Sequence, residues 1–342
     1  MDSALLMEIL WFIVGLVVLT VGAEWTVRGS STLARIFGVR PIIIGITIVA
    51  FGTSSPELVV GVMASLNEAS DSIQLAVGNV IGSNIANIGL ILGISGLIYP
   101  IMVQREVLRV HLPLMTLVAA LLLWFSYNDG QISRLEGGIF LGLGILINVL
   151  LIWQALRNQK IAKEIEHEVE VLPVGKKGGK GWNFGLLVVG LVGLVLGADW
   201  MVDSAVKIAT RLGMSMITIG LTIVAVGTSL PELAASAMAS FRKKSDIALG
   251  NVVGSNIYNV VLILGVVAIL VPLPIKADAL GTDLPVMMGF TLLAVFFLRT
   301  GRILERWEAG ILFGCYVGYM VVLFLRSQGY ETNLLRLLGV GI

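Results

Sequence analysis

The chain has 342 residues, of which 57% are hydrophobic and only 13% are Asp, Glu, Lys or Arg. That is about half the charge of an average soluble domain, and the 23 basic and 22 acidic residues are bunched between long apolar runs, so a soluble enzyme and a disordered chain are both excluded. A formal charge of +1, with basic residues divided among many small clusters, offers nucleic acid no continuous stripe, and the single Cys315 builds neither a disulfide framework nor a zinc site within the chain.

A spanning helix needs about 20 mostly apolar residues. Ten stretches qualify: Leu5–Ala23, Pro41–Leu66, Ile73–Ile98, Val107–Phe125, Leu135–Ile152, Phe184–Val202, Ile217–Phe241, Ile247–Leu270, Ala279–Leu298 and Ala309–Leu325. The first follows Met1-Asp2-Ser3 and precedes Glu24, without the basic flank and small-residue site of a signal peptide, so it is expected to be a true span. With the N-terminus outside, most of the 23 Lys and Arg residues fall in the inner loops, among them Arg40, Arg105, Arg109, Lys160, Lys163, Lys243, Lys244 and Arg302. The positive-inside rule therefore places both termini outside a cell membrane. The polar connection at 154–183 reads as a cytoplasmic linker between two halves, 1–153 and 184–342.

The halves repeat each other. In the second span Ile48-Val-Ala-Phe-Gly-Thr-Ser-Ser-Pro-Glu57 is matched in the seventh by Ile223-Val-Ala-Val-Gly-Thr-Ser-Leu-Pro-Glu232, displaced by 175 residues. In the third span Gly78-Asn-Val-Ile-Gly-Ser-Asn-Ile-Ala-Asn87 is matched in the eighth by Gly250-Asn-Val-Val-Gly-Ser-Asn-Ile-Tyr-Asn259, displaced by 172. Five spans separate the copies, so the second crosses the membrane in the opposite sense. The fold class is thus an all-α multi-pass membrane protein of ten helices, built as two inverted five-helix repeats. Such repeats face each other at the midplane and supply two alternative packings, which points to a transporter.

Glu57 and Glu232 lie deep in apolar segments, where an ionised carboxylate is costly. At matching places in an inverted repeat they meet near the pseudo-two-fold axis, and two adjacent carboxylates repel unless a cation or proton intervenes. Thr53 and Ser54 share a helical face with Glu57, as Thr228 and Ser229 do with Glu232. Pro56 and Pro231 cannot donate to carbonyls four residues back, so helices 2 and 7 are expected to break, exposing main-chain oxygens near Ala50, Thr53, Ala225 and Thr228. Ser83 and Asn87, and likewise Ser255 and Asn259, are four apart on one face. The whole is an all-oxygen site, suited to hard cations. Taken singly, the threonines and serines could equally bond back to their own helices. The glycines Gly78, Gly82, Gly250 and Gly254 fit close helix packing. His111 and His167 make no metal site, Trp25, Trp153, Trp182, Trp200 and Trp307 fit interfacial anchoring, and Glu24 and Asp199 fit a structural or gating role.

Gly-Thr-Ser-Ser-Pro-Glu57 and Gly-Thr-Ser-Leu-Pro-Glu232, each followed by Gly-Ser-Asn-Ile-x-Asn, resemble the paired alpha-repeats of the cation/calcium exchanger superfamily, in its sodium/calcium exchanger branch of prokaryotic type. The resemblance implies an antiporter in which the first and sixth helices slide against a core. By position it implies calcium at Glu57, Glu232 and the carbonyls of Thr53 and Thr228. Sodium would draw on Ala50, Ser54, Ser83, Ala225, Ser229 and Ser255, with Asn87 and Asn259 lining the centre. Some relatives carry Asp at the position of Asn259, and proton-coupled relatives carry Asn at those of Thr53 and Thr228. The resemblance therefore favours sodium as the coupling ion; proton/calcium exchange and a cation channel are the alternatives, and an intramembrane hydrolase lacks a nucleophile. No catalysis and no cofactor are expected. Calcium, sodium and the bilayer are the partners, and no protein partner can be inferred.

Overall fold

The structure, a computed structural model, describes residues 3–66, 70–166, 179–212 and 225–328. Helix α1 covers Ser3–Ile36 and α2 covers Pro41–Thr53, bent by 42° from α3, Ser55–Leu66. Helix α4 runs Ser70–Ala86, passes through a π turn at Asn87–Leu92 and ends with Gly93–Ile98. There follow α5 (Val107–Asp129), α6 (Arg134–Glu166) and α7 (Lys180–Arg211). A turn at Ala225–Gly227 then leads into α8 (Leu230–Phe241). The last three are α9 (Ser245–Leu270), α10 (Ala279–Arg299) and α11 (Arg306–Ser327). Among the described residues eight helices are long and apolar enough to cross a membrane, or nine with the bent pair α2–α3. The chain is a mostly helical, multi-pass membrane protein. The seventh expected span, Ile217–Phe241, lies partly outside the described residues.

Helices α1 and α7 outrun the apolar stretches that announced them. Their charged turns are laced by pairs four residues apart, Glu24 with Arg28 at 3.4 Å and Asp203 with Lys207 at 2.6 Å, so helix continues where apolarity stops. Trp25 and Trp200 accordingly sit inside helices, with Trp200 edge-on to Trp11 at 5.5 Å between centroids. Helix α6 likewise continues to Glu166, well into the expected linker, because Ala, Leu, Gln, Lys and Glu there are good helix formers.

The element boundaries of the two halves correspond at the displacement of 172. Strands β1 (Ile101–Met102) and β4 (Ile303–Leu304) pair as Ile101 with Leu304, and β2 (Gln131–Ile132) and β3 (Leu273–Pro274) pair as Ile132 with Leu273. Adding or subtracting the displacement turns one ladder into the other. Helix α6 starts at Arg134 after Ser133 and carries Glu136 in its first turn, and α11 starts at Arg306 after Glu305 and carries Glu308 in its first turn. Both starts are closed by a side chain reaching back to a main-chain N–H, Glu136 to Ser133 at 2.7 Å and Glu308 to Glu305 at 2.9 Å. Helices α5 and α10 open with π turns, Val107–His111 and Ala279–Asp283. Each is followed by Leu-Pro, whose missing N–H loosens the preceding turn. His111 and Asp283 occupy equivalent places, and His111 is fully buried.

Helices α4 and α9 are central, with 78% and 83% of their spans inside the protein, against 17% for α1. The apolar interior falls into two clusters. The larger joins α4, α5, α9 and α10 with α11, and the smaller joins α1 and α7 to one side of α2 and to Ala235 and Ala239 of α8. Within the smaller cluster α1 and α7 run antiparallel with backbones touching. A Cβ on Gly15 would lie 2.9 Å from the Gly197 oxygen, one on Gly22 2.8 Å from the Gly190 oxygen, and one on Gly29 2.9 Å from the Asn183 oxygen. Glycines recurring every seven residues keep one seam facing its partner. Glu24 also accepts a bond from Arg242 at 2.7 Å, tying α1 to the end of α8.

Candidate cation site

The site is built where helix gives way twice, at equivalent places. Ser54 has φ −85° and ψ 6°, and Ser229 φ −90° and ψ 6°, both in the sparsely populated region between helix and strand. Each break stands two residues before a proline, and α8 accepts Pro231 in its first turn, where a missing N–H costs nothing. The following turns carry Glu57 and Glu232. The Ala50 oxygen is occupied by the Ser54 N–H at 3.0 Å, so it is less open than the proline alone suggests.

Helix α9 lies against α2 through its glycines. A Cβ on Gly254 would meet the Ile46 oxygen at 2.5 Å and the Ala50 Cβ at 2.6 Å, and one on Gly250 the Ile42 oxygen at 2.8 Å. The equivalents of Ile42 and Ile46 in the second half, Ile217 and Leu221, fall outside the described residues.

Most of the residues singled out by sequence are buried, and hydrogen bonds link Ser54 with Glu232 and Ser255. Thr53, Ser54, Glu57, Ser83, Asn87, Ser229, Glu232, Ser255 and Asn259 are each at most 4% exposed, and Ala50 is fully buried. Thr228 is half-buried, and Ala225 opens the short turn before the second break. Glu57 and Glu232 are close enough to repel each other. Ser54 lies 2.9 Å from Glu232 Oε1 and 3.1 Å from Ser255 Oγ. A carboxylate only accepts, so the Ser54 hydroxyl donates to Glu232 and receives the proton of Ser255. Asn259 donates to Asn84 Oδ1 at 3.1 Å, which leaves its own oxygen unspent.

Five buried oxygens here have no partner: Glu57 Oε2, Glu232 Oε2, Asn87 Oδ1, Asn259 Oδ1 and Ser229 Oγ. Each costs about 1–3 kcal/mol when left unsatisfied and more when charged. Oxygens of this kind suit hard cations, whereas a metal preferring nitrogen or sulfur finds no such ligand among them. Asn87 and Asn259 both open π turns, where a widened helix shifts its carbonyl register, a feature frequent at functional sites.

Sequence reasoning missed four residues of this network: Asn79, Asn84, Asn251 and Ser236. Thr53 donates to Asn251 Oδ1 at 3.2 Å, and Thr228 to Asn79 Oδ1 at 3.3 Å. The available signal was that Asn79 and Asn251 are identical in the two copies and lie one turn before Ser83 and Ser255.

The family described as sodium/calcium exchanger protein matches residues 7–153 and 182–325. The chain is 34% identical to the sodium/calcium exchanger MaX1 of Methanosarcina acetivorans, with 91% of this chain and 97% of that protein covered. It is 37% identical to the inner membrane protein YrbG of Escherichia coli, with 92% and 96% covered. Among solved structures, that of the sodium-calcium exchanger NCX_Mj soaked with zero Na+ and Ca2+ is similar, with a TM-score of 0.78 at 31% identity over 93% of this chain and 99% of the other.

Proposed function

The chain belongs to the sodium/calcium exchanger protein family, and from that premise we propose that it exchanges Na+ for Ca2+ by alternating access through the site between the two helix breaks. The observation that carries the proposal is the set of five unpartnered buried oxygens, two of them from the carboxylates of Glu57 and Glu232. Glu57 and Glu232 neutralise one calcium ion, with the carbonyls of Thr53 and Thr228 beside them. Sodium ions use Ala50, Ser54, Ser83, Ala225, Ser229 and Ser255, and Asn87 and Asn259 line the centre. Calcium and sodium are substrates in this scheme, and no further cofactor enters it.

The architecture proposed is ten helices in two inverted five-helix repeats, 1–153 and 184–342, with the second and seventh spans (Pro41–Leu66 and Ile217–Phe241) broken and 154–183 as a cytoplasmic linker. The exchange of the two small ladders by one displacement supports that symmetry. The moving body is the α1–α7 pair, which packs through its own apolar cluster. Both termini lie outside the cell membrane, as the distribution of Lys and Arg favours. Hydroxyls at Thr53 and Thr228 favour sodium over protons.

The test is equilibrium calcium-45 binding to the purified protein. Sodium is expected to displace calcium steeply, while choline and potassium do not. Displacement by acid with no effect of sodium would favour proton/calcium exchange instead.

A site with a formal charge of −2 suffices for one calcium ion, and adding a monovalent cation would leave +1 in a medium where unpaired charge is costly. Exchange is therefore expected to need no potassium. Asn259→Asp, which adds a charge and loses the bond to Asn84, is expected to change monovalent-ion dependence more than folding. Flux with choline replacing potassium on both sides of the vesicle checks this, and an absolute potassium requirement in the unmodified protein contradicts it.

A further inference from the structure

The geometry points to Asn251 as a positioning residue that couples the two halves of the ion site, setting calcium affinity without touching the ion. This rests on the exchange function proposed above. Asn251 lies on α9, fully buried. Its Nδ2 donates to the Glu232 main-chain oxygen at 3.3 Å and to Ser236 Oγ at 3.0 Å, both on α8. Its Oδ1 accepts from the Thr53 hydroxyl at 3.2 Å, on α2. A carbonyl oxygen only accepts, so the amide group must face Glu232 and the oxygen must face Thr53; the orientation is forced. One neutral side chain thus ties three helices, two of which belong to opposite halves of the chain.

What it ties are the two elements that build the carboxylate pair. The Glu232 main chain fixes the root of the Glu232 side chain, and Thr53 stands next to Ser54, whose hydroxyl holds Glu232 Oε1. With Asn251 in place, the break after α2 and the carboxylate of α8 are set at one distance. Without it, the end of α2 and the break after it meet α8 only where Thr53 and Ser54 stand against the Glu232 side chain, and no side chain of the described residues holds the Glu232 main chain.

The equivalent brace in the other half is weaker. Asn79 accepts from Thr228 at 3.3 Å, but the place of Ser236 one turn beyond the carboxylate is taken by Gly61, which offers no side-chain acceptor. Asn79 is also only half-buried. The pseudo-symmetric asparagines are therefore unequal, and the stronger brace holds the Glu232 side.

The test measures calcium-45 binding and sodium-driven exchange in purified full-length variants. Asn251→Ala is expected to raise both the calcium Kd and the KM about tenfold, with the maximal rate changed less than about threefold. Asn79→Ala is expected to raise them no more than about threefold. Ser236→Ala combined with Asn251→Ala should be no worse than Asn251→Ala alone, the mark of a shared interaction. Should Asn251→Ala fail to fold, Ser236→Ala, which removes one of its two acceptors, is expected to raise the Kd by a smaller but measurable factor. Unchanged affinity in Asn251→Ala or Ser236→Ala, or strict additivity in the double variant, would overturn the proposal while leaving exchange intact. Absence of calcium binding by the unmodified protein would overturn both it and the proposed function.

Discussion

Glu57→Gln and Glu232→Gln are each expected to lower calcium exchange at least about 100-fold while the protein stays folded. Calcium arrives in the site dehydrated, and its double charge is balanced by two carboxylates of which neither is more than 2% exposed. Losing one leaves a net positive charge with no compensating group in a low-dielectric interior, and breaking a buried charge balance costs about 3–5 kcal/mol. Folding should survive, because glutamine fills the same volume and its oxygen can still accept from Ser54 in the Glu232 case. Removing the repulsion between the two carboxylates also relieves the ion-free protein. Calcium-45 flux by each variant, measured beside its thermal unfolding, decides the matter. Near-normal flux in either variant contradicts a site that needs both.

The second large effect is expected at the seam between α1 and α7. A Cβ on Gly197 would lie 2.4 Å from the Leu19 nitrogen and 2.8 Å from the Gly15 oxygen. These are backbone atoms that cannot rotate away, so Gly197→Ala must push the helices apart along a seam held by close contact. A loss of about 1–3 kcal/mol or more is expected, seen as a lower thermal midpoint and slower exchange. Gly142→Ala is the control, because a Cβ there meets nothing within 4 Å. It gains the ordinary helical preference of alanine over glycine, about 1 kcal/mol. Equal behaviour of the two variants would show that the α1–α7 seam does not depend on backbone contact.

The helix breaks, the paired carboxylates and their hydroxyl neighbours were legible because each is announced by a residue with one dominant physical meaning. Proline removes a donor, and a glutamate in an apolar run demands a counter-charge. Asn79 and Asn251 lie within the repeat but give no such sign, since an asparagine carries no charge and its partner, a threonine in the other half, is visible only once the halves are docked. The Gly15, Gly22 and Gly29 series was hidden for the same reason. A glycine is informative only when what it lets approach is known. Helices α1, α6 and α7 run past the ends of their apolar stretches because apolarity marks what faces lipid, whereas helix persists through paired or strongly helix-forming charged residues. The correspondence of His111 with Asp283 could not be seen from residue type at all; it emerges from equal places in matching π turns.

The central claim, that a sodium gradient moves calcium through this protein, is tested most directly in proteoliposomes. Vesicles holding the purified protein are loaded with sodium and diluted into sodium-free medium containing calcium-45, with choline balancing the salt. Calcium is expected to accumulate, to stop accumulating when sodium is equal on both sides, and to be left behind by vesicles bearing Glu57→Gln. Uptake that ignores the sodium gradient but follows an imposed pH gradient, or that runs down the calcium gradient alone without any counter-ion, would contradict the account.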